Sequence, residues 1–523
     1  MDHKPSGDDA DRHSAVKRES ISPEARREST SPGKDQDVTA DSMKLMSMGY
    51  EPQMKRELNT LQLVGVAFMV TASWLGVTGG FSTGVLIGGS AAIVYGLILI
   101  GVMNIFIVTT LAELMSAMPN AGGQYYWVTQ LAPPSVTRPS AFFTGLCNLF
   151  GGIVATSGGF VLMGHLVLGC VKLVHPSFTI HSWQAYLVGL AFNTSIFIVN
   201  LNYKSISTGL TIGMVVNILA CAAITISIPA VSPTHTDASY IFDSLENISG
   251  WKSKGMAFLV GLINANYSYG MIDTAVHMAE EIPDPEKNVP KALYMTVGLG
   301  FLTAWPLAVL LMWCLTDFDG IVGTETGVPL LLLFYLALRK NKAAAIFMLS
   351  LIMVSYFFAV IGLQAYMSRI CWAFSRDNGL PFSKLWSRVH PRLNIPFEAH
   401  VLCTILVSLL SLLGIASTTA FNSLAAGVVI FPSLSYSLPA LYSLFPRNKD
   451  VKGPFNLGRL GTFCRVATVL FSIFSTIIYS FPYMMPATAD NMNYISPILG
   501  VFLIYTVADW FLRARKSFIV REH

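Results

Sequence analysis

Asp273, His277 and Glu280 stand four and three positions apart, a spacing that sets them along one face of an α-helix. An imidazole near carboxylates can take up and release a proton close to neutral pH, so the stripe could carry a proton linked to another event. Two other stretches could do chemistry with their backbone. Thr71 to Thr83 reads TASWLGVTGGFST, with Gly76, Gly79 and Gly80 among the hydroxyl residues Thr71, Ser73, Thr78 and Ser82, and Asn264 to Gly270 reads NANYSYG. Glycine tolerates the unwinding of a helix, and an unwound stretch offers free N–H groups to a carboxylate and free carbonyls to an ammonium. Tyr267 and Tyr269 in the second stretch, and Trp74 in the first, could cover a bound cation with a ring face or close a pocket as a gate.

The elements that must position these residues follow from composition. Of 523 residues, 53% are hydrophobic and 12% charged, against about 25% charged in a soluble domain. This excludes an ordinary water-soluble enzyme. The first 57 residues hold 12 of the 30 acidic and 10 of the 34 basic side chains, leaving 18 and 24 for the other 466 positions, about 9% charged. A net charge of +4, spread along the chain, does not suggest a nucleic-acid partner.

About 20 apolar residues cross the hydrocarbon of a bilayer as a helix, and windows of that size recur from residue 61 onward. Twelve spans are expected: 61–86, 91–117, 140–172, 183–201, 207–230, 256–279, 292–315, 345–370, 399–416, 421–444, 463–484 and 493–512, with an amphipathic piece, Pro329 to Leu338, after the seventh. The fold class is therefore an all-α polytopic membrane protein. An even number places both termini on one side. With cytoplasmic termini, the inner loops and C-tail hold sixteen Lys and Arg residues and the outer loops six, which favours that orientation.

Spans one and six carry the two interrupted stretches at mid-depth, and they lead two successive five-helix sets. In lipid, an unwound backbone survives only where it is buried in protein or lines a wet cavity. The pairing matches inverted-repeat transporters, whose discontinuous helices form the substrate site, here with two peripheral helices left over. Plainer readings stand beside this one. Small residues let membrane helices pack closely, Asp273 can cap a half-helix beginning near Gly270, and His277 and Glu280 can hold that half-helix to a neighbour. Glu113 is expected to order the loop after the second span, and Asp509 to be structural.

Residues 1–57, with Ser-Pro at Ser22 and Ser31 and a possible kinase target at Arg26 to Ser29, read as a disordered cytoplasmic tail. The scheme continues with a ten-helix transport core at 58–445, two peripheral helices at 446–512 and a short cytoplasmic tail at 513–523. No apolar leader opens the chain, so the first membrane helix is expected to target it. The seven cysteines lack metal-ligand spacing and read as small buried hydrophobes. No metal site or cofactor is expected. Asn247-Ile-Ser249 is a glycosylation sequon that falls in an outer loop and is used or unused.

Several segments resemble the amino acid, polyamine and organocation transporter superfamily. AELMSAMPNAGGQYYW (Ala112 to Trp127) is similar to its signature after the second helix, and HMAEEIPDPEKNVPKA (His277 to Ala292) and SRICWAFSRDNGLPFS (Ser368 to Ser383) to the inner loops after the sixth and eighth. GPFNLGRLG (Gly453 to Gly461) resembles a segment of the fungal branch with GABA and choline permeases. The resemblance implies a five-plus-five helix core and secondary active transport of an amine-bearing metabolite, commonly driven by protons. It also implies a substrate-binding backbone at Ala72, Ser73, Trp74, Leu75 and Gly76, with sixth-helix contacts at Tyr267 to Gly270. The chain departs from many relatives in reading Trp74-Leu75-Gly76 where they have Gly-x-Gly, and its fifth span, Thr208 to Pro229, lacks the lysine used for proton coupling in some of them.

The combined expectation is a plasma-membrane permease importing an amino acid, GABA or choline by alternating access, with a proton as the co-transported ion. The half-helix beginning near Val77 would face the solute's carboxylate, carbonyls at Asn264, Ala265 and Asn266 would receive its ammonium, Tyr269 would gate the pocket, and Asp273, His277 and Glu280 would serve coupling. A nutrient receptor that binds solute on the same scaffold without moving it is the alternative. The scattered histidines argue against an intramembrane enzyme.

Overall fold

A computed structural model of the chain describes residues 40–54, 56, 58–244, 248–489 and 491–521. Ser22, Ser31, Arg26 to Ser29 and Asn247 lie outside the described residues. The described elements are helical. In order they are α1 (Ala40–Ser47), α2 (Thr60–Thr71), α3 (Ser73–Gly79), α4 (Phe81–Ala117), α5 (Gln124–Leu131), α6 (Thr137–Val174), α7 (Ser182–Val199), α8 (Tyr203–Val231), α9 (Ala238–Asp243) and α10 (Lys254–Tyr267). A 3₁₀ helix (Ile272–Glu281) follows, then α11 (Pro285–Trp313), α12 (Phe318–Val322), α13 (Pro329–Ala337), α14 (Lys342–Arg376), α15 (Ser383–Trp386) and α16 (Phe397–Ser411). The chain closes with α17 (Leu413–Ala416), α18 (Thr418–Ser443), α19 (Arg459–Ile478) and α20 (Ile495–Asp509), the last running on to Ser517.

Among the described residues, 11 helices are long and apolar enough to cross a membrane. The expected sixth span, 256–279, is not one of them. Its first part is the 14-residue α10, and its second part is the tighter 3₁₀ helix, so neither piece crosses alone.

The first crossing is built in three pieces. Asn59 opens α2 with a reciprocal cap: its side chain accepts from Gln62 N–H (2.8 Å) while the Gln62 side chain accepts from Asn59 N–H (2.9 Å). α2 stops at Ala72, which takes a left-handed conformation (φ +32°) without being glycine. α3 runs as far as Gly79, and α4 carries the chain on to Gly89, whose φ of +67° turns it into the second crossing. The boundary expected between 86 and 91 is therefore a glycine bend inside one helical run.

Part of the segment expected as a tail to residue 57 falls within the described residues. Residues 40–58 carry α1 and bury Leu45, Met48, Tyr50, Met54 and Leu58 against the core. Three of the charges in this stretch are paired. Lys44 bonds Glu286, Arg56 bonds Asp41 (2.9 Å), and Leu58 N–H donates to Glu281 O (3.1 Å). At the other terminus Arg138 holds the Phe518 carbonyl (2.7 Å) and Arg521 bonds Asp377 (3.1 Å), whose other oxygen accepts from Tyr50 OH (2.7 Å). Both ends of the described chain thus meet at Asp377, on one end of the bundle.

α4 packs along α10 and α11, and α6 along α7, α14 and α18. Trp74, Trp127 and Trp372 are fully buried between them. This arrangement brings the two interrupted crossings side by side.

Candidate functional site

The two breaks touch. A Cβ on Gly76 would stand 2.4 Å from Ser268 Cα and 2.8 Å from its Oγ, so this glycine is what lets the crossings meet. In the first break the hydrogen-bond ladder ends with Ala72 N–H to Phe68 O (2.7 Å). It resumes with Leu75 N–H (2.7 Å) and Gly76 N–H (3.1 Å), both to Ala72 O. The carbonyls of Met69, Val70 and Thr71 and the amides of Ser73 and Trp74 fall outside both ladders. In the sixth crossing α10 ends at Tyr267, and Met271 turns the chain with φ +57°.

Between the breaks lies a cavity of about 60 Å³. Thr71, Ala72, Leu75 and Gly76 line it from one crossing and Tyr267, Gly270 and Met271 from the other, with apolar residues of α6, α14 and α18 and the ring of Tyr356 closing the sides. Tyr356 donates to Leu75 O (2.8 Å). Among the described residues, the lining has no carboxylate, ammonium, guanidinium or imidazole. The Thr71 hydroxyl is buried there with no hydrogen-bond partner among the described residues.

Of the residues expected at the site, Ala72, Leu75, Gly76, Tyr267 and Gly270 line this cavity. Val77, Asn264 and Ala265, with Gly76 again, line a small neighbouring void of about 10 Å³. The helix restarts at Ser73 rather than near Val77. Trp74 turns away, its Nε1 bonded to Asn217 Oδ1 (3.1 Å), and Asn266 Nδ2 bonds Tyr479 OH (3.3 Å). The carbonyls of Asn264 and Asn266 are taken by the turn itself, accepting from Ser268 N–H (3.3 Å) and Tyr269 N–H (3.0 Å). Tyr269 is buried on the far side, its hydroxyl next to Gly101 and its ring next to Gly300, where Ser73 also points. The chain turns between the two tyrosines, so Tyr267 and not Tyr269 borders the cavity. Tyr356 was missed in the sequence, where it reads as one more aromatic in an apolar span.

Below the cavity, the acidic stripe does not form one line. Its residues lie on the 3₁₀ helix, with three residues per turn, and they divide between two groups of partners. Asp273 accepts from Gln124 Nε2 (2.8 Å), Tyr436 OH (2.8 Å) and Tyr366 OH (3.3 Å) and stands 3.2 Å from His277 Nε2. It makes no helix cap. Glu280 pairs with Arg376 (2.7 Å), whose guanidinium covers the Trp372 ring, and the unforeseen Glu281 pairs with Arg369 (2.6 Å).

The turn after the second crossing explains its own glycines. A Cβ on Gly123 (φ +54°) would meet Val276 at 2.8 Å and His277 at 2.9 Å, so the turn presses directly on the 3₁₀ helix. There it offers Ala121 O to His277 Nδ1 (2.8 Å) and Gln124 to Asp273. Glu113 does not order this turn. It holds the segment before α19, accepting from Leu457 N–H (2.7 Å) and Arg465 (2.7 Å), and a Cβ on Gly461 would stand 2.1 Å from its carboxylate. Asp509 pairs with Arg513 (2.6 Å), which also holds the Gly379 carbonyl (2.8 Å). At the end of the bundle, burial pushes the Asp377 carboxyl above the usual carboxylate range, against the downward pull of Tyr50 and Arg376.

The fold is shared with the crystal structure of MhsT in complex with L-phenylalanine, at a TM-score of 0.58 and 14% identity over 81% of this chain and 99% of that one. MhsT is a LeuT-fold transporter, a class built from two inverted repeats. The choline transporter of Saccharomyces cerevisiae is 34% identical over 483 residues, covering 92% of this chain and 86% of that protein. The swainsonine transporter of Arthroderma benhamiae is 31% identical over 478 residues, 90% of this chain and 93% of that one. The amino acid permease family profile matches residues 61–504. The chain is a multi-pass membrane transporter and belongs to the amino acid permease family.

Proposed function

We propose that this permease imports a small amine-bearing solute, choline before an amino acid or GABA, by alternating access across the plasma membrane and coupled to protons. The observation that carries the reading is the cavity where the breaks meet, which has two tyrosines and a hydroxyl but no carboxylate, ammonium, guanidinium or imidazole among the described residues. A quaternary ammonium donates no hydrogen bond and needs no carboxylate partner. Rings such as that of Tyr267 and helix-end carbonyls such as those of Val70 and Thr71 suit it. At ~10–15 Å³ per water, the space holds roughly four to six waters, which suits a solute of a few heavy atoms.

The relative named as a choline transporter supports the same choice. Amides of Ser73 and Trp74, outside both ladders, favour the second reading, an amino acid whose carboxylate accepts from them. Arg138, Arg447, Arg513 and Arg521 gather where both termini meet, which supports cytoplasmic termini.

The test is uptake of labelled choline in yeast lacking its own choline permease, with amino acids, GABA and polyamines as competitors at two pH values. Saturable choline uptake that rises at the lower pH is expected. Protein at the cell surface without choline uptake would overturn the choice of solute, and binding without accumulation in liposomes would identify a receptor.

A further inference from the structure

We propose that His277 and Asp273 form a buried proton-binding site, separate from the solute cavity, that holds the coupling proton on His277 Nε2. This rests on the transport reading above and gives its proton an address.

Donors and acceptors around His277 and Asp273 do not balance without an added proton. His277 is 1% exposed and Asp273 0%. Nδ1 of His277 lies 2.8 Å from Ala121 O, and a backbone carbonyl can only accept, so Nδ1 carries a hydrogen. In a neutral ring Nε2 then presents a bare lone pair to Asp273 Oδ2 at 3.2 Å. Two acceptors facing each other away from water repel, and one proton on Nε2 turns the contact into a charge-assisted hydrogen bond. Asn148 Nδ2 gives one hydrogen to Gln124 Oε1 at 2.7 Å and offers its other to Nε2 only across a long 3.5 Å contact, so Asp273 Oδ2 at 3.2 Å remains the nearer neighbour of Nε2. Gln124, Tyr436 and Tyr366 all donate to the carboxylate, so its oxygens face Nε2 as acceptors.

Neighbouring charges are occupied elsewhere. α2 has no titratable residue. Glu113 and Tyr294, from α4 and α11, bond Arg465 and Thr109, and Glu286 bonds Lys44. Lys287 and Lys291 are exposed, Tyr125 bonds Ala373 O and Asp377, and Arg369 and Arg376 of α14 pair with Glu281 and Glu280. Tyr366 of α14 and Tyr436 of α18 are the titratable groups that face the pair from other elements.

With its proton the pair is neutral overall. Without it, a net negative charge remains in the protein interior with two lone pairs opposed, and His277 or Asp273 must move. Asp273 follows Met271, which lines the cavity and sets the turn, by two residues. Loss of the proton therefore strains the arrangement that shapes the solute site, and by linkage solute and proton favour the same state.

The test uses the full chain in liposomes, with voltage held at zero by valinomycin and equal potassium, labelled choline as probe, and a one-unit pH gradient alkaline inside. One proton per choline supports up to about tenfold accumulation per pH unit. The wild type is expected to approach this. His277→Gln should show no accumulation while still exchanging labelled for unlabelled choline. Accumulation by His277→Gln equal to wild type, or loss of exchange together with accumulation, overturns the proposal.

A wild type that exchanges choline but ignores the gradient also overturns it and leaves the transport reading standing. If the wild type does not handle choline, that reading fails and a solute-free arm decides the site. Thermal unfolding of the full chain in detergent, from about pH 5.5 to about 8.5, should show a stability that changes with pH in the wild type. That slope should flatten in His277→Gln and also in Asp273→Asn, where an amide can donate to a neutral ring. Slopes parallel to wild type in the folded variants overturn the site.

Discussion

The break in the first crossing is one residue long, Ala72, and the hydroxyls beside it on Thr71 and Ser73 are buried without partners among the described residues. The break in the sixth crossing runs from Ser268 to Met271 and leads into ten residues whose ionisable side chains, Asp273, His277, Glu280 and Glu281, are all engaged by protein. One interruption keeps backbone groups outside any ladder beside an open cavity, and the other is filled by the chain itself. In this permease, the cavity proposed for the solute and the ionic structure are therefore separated in depth. The cavity is lined by backbone, rings and a hydroxyl, while charge is kept below, in pairs.

The contrast can be broken most severely at Gly76. Gly76→Leu drives a side chain into the Ser268 backbone, 2.4 Å from where its Cβ must lie, and is expected to abolish uptake. Surface labelling checks that the protein still reaches the membrane, and unchanged uptake would remove the site from this junction. Second is the filled side. Glu281→Gln leaves Arg369 buried without its carboxylate, and a loss of about 3–5 kcal/mol is expected in thermal or denaturant unfolding. Replacing both partners by Met should recover most of it.

A smaller effect separates the two faces of the sixth break. Tyr267→Ala should raise the half-saturating choline concentration about tenfold, a cation–π contribution of ~1–2 kcal/mol, whereas Tyr269→Phe should leave it unchanged. Uptake kinetics check both. The smallest lies outside the membrane at Asp377. Because burial raises its folded-state value, the stability it contributes is present at low pH and lost as pH rises through that raised value. Asp377→Asn should remove that slope from the unfolding profile.

Much of the frame was legible from residue types. Spans announce themselves by length and apolarity, and the glycines and hydroxyls of 71–83 marked the first interruption, although the structure confines it to Ala72, a residue with nothing unusual in its side chain. A left-handed turn at an alanine has no local signature in the sequence. The acidic stripe was visible, but its period was taken as α-helical. The 3₁₀ winding that splits it depends on contacts with the turn at Gly123, 150 residues upstream of Asp273. Gln124, Asn148, Tyr366 and Tyr436 come from four other elements, and each alone is one polar or aromatic residue in an apolar stretch. The segment 40–58 was hidden because its charges look solvated until their partners, Glu286 and Asp377 among them, are placed beside it.

The most direct test is a density map of the full chain with choline bound. The account predicts the ammonium in the space between Ala72 and Met271, within about 6 Å of the Tyr267 ring and clear of Asp273. Choline seated against Asp273 or His277, or on another face of the bundle while Ala72 and Met271 run through as continuous helix, would contradict it.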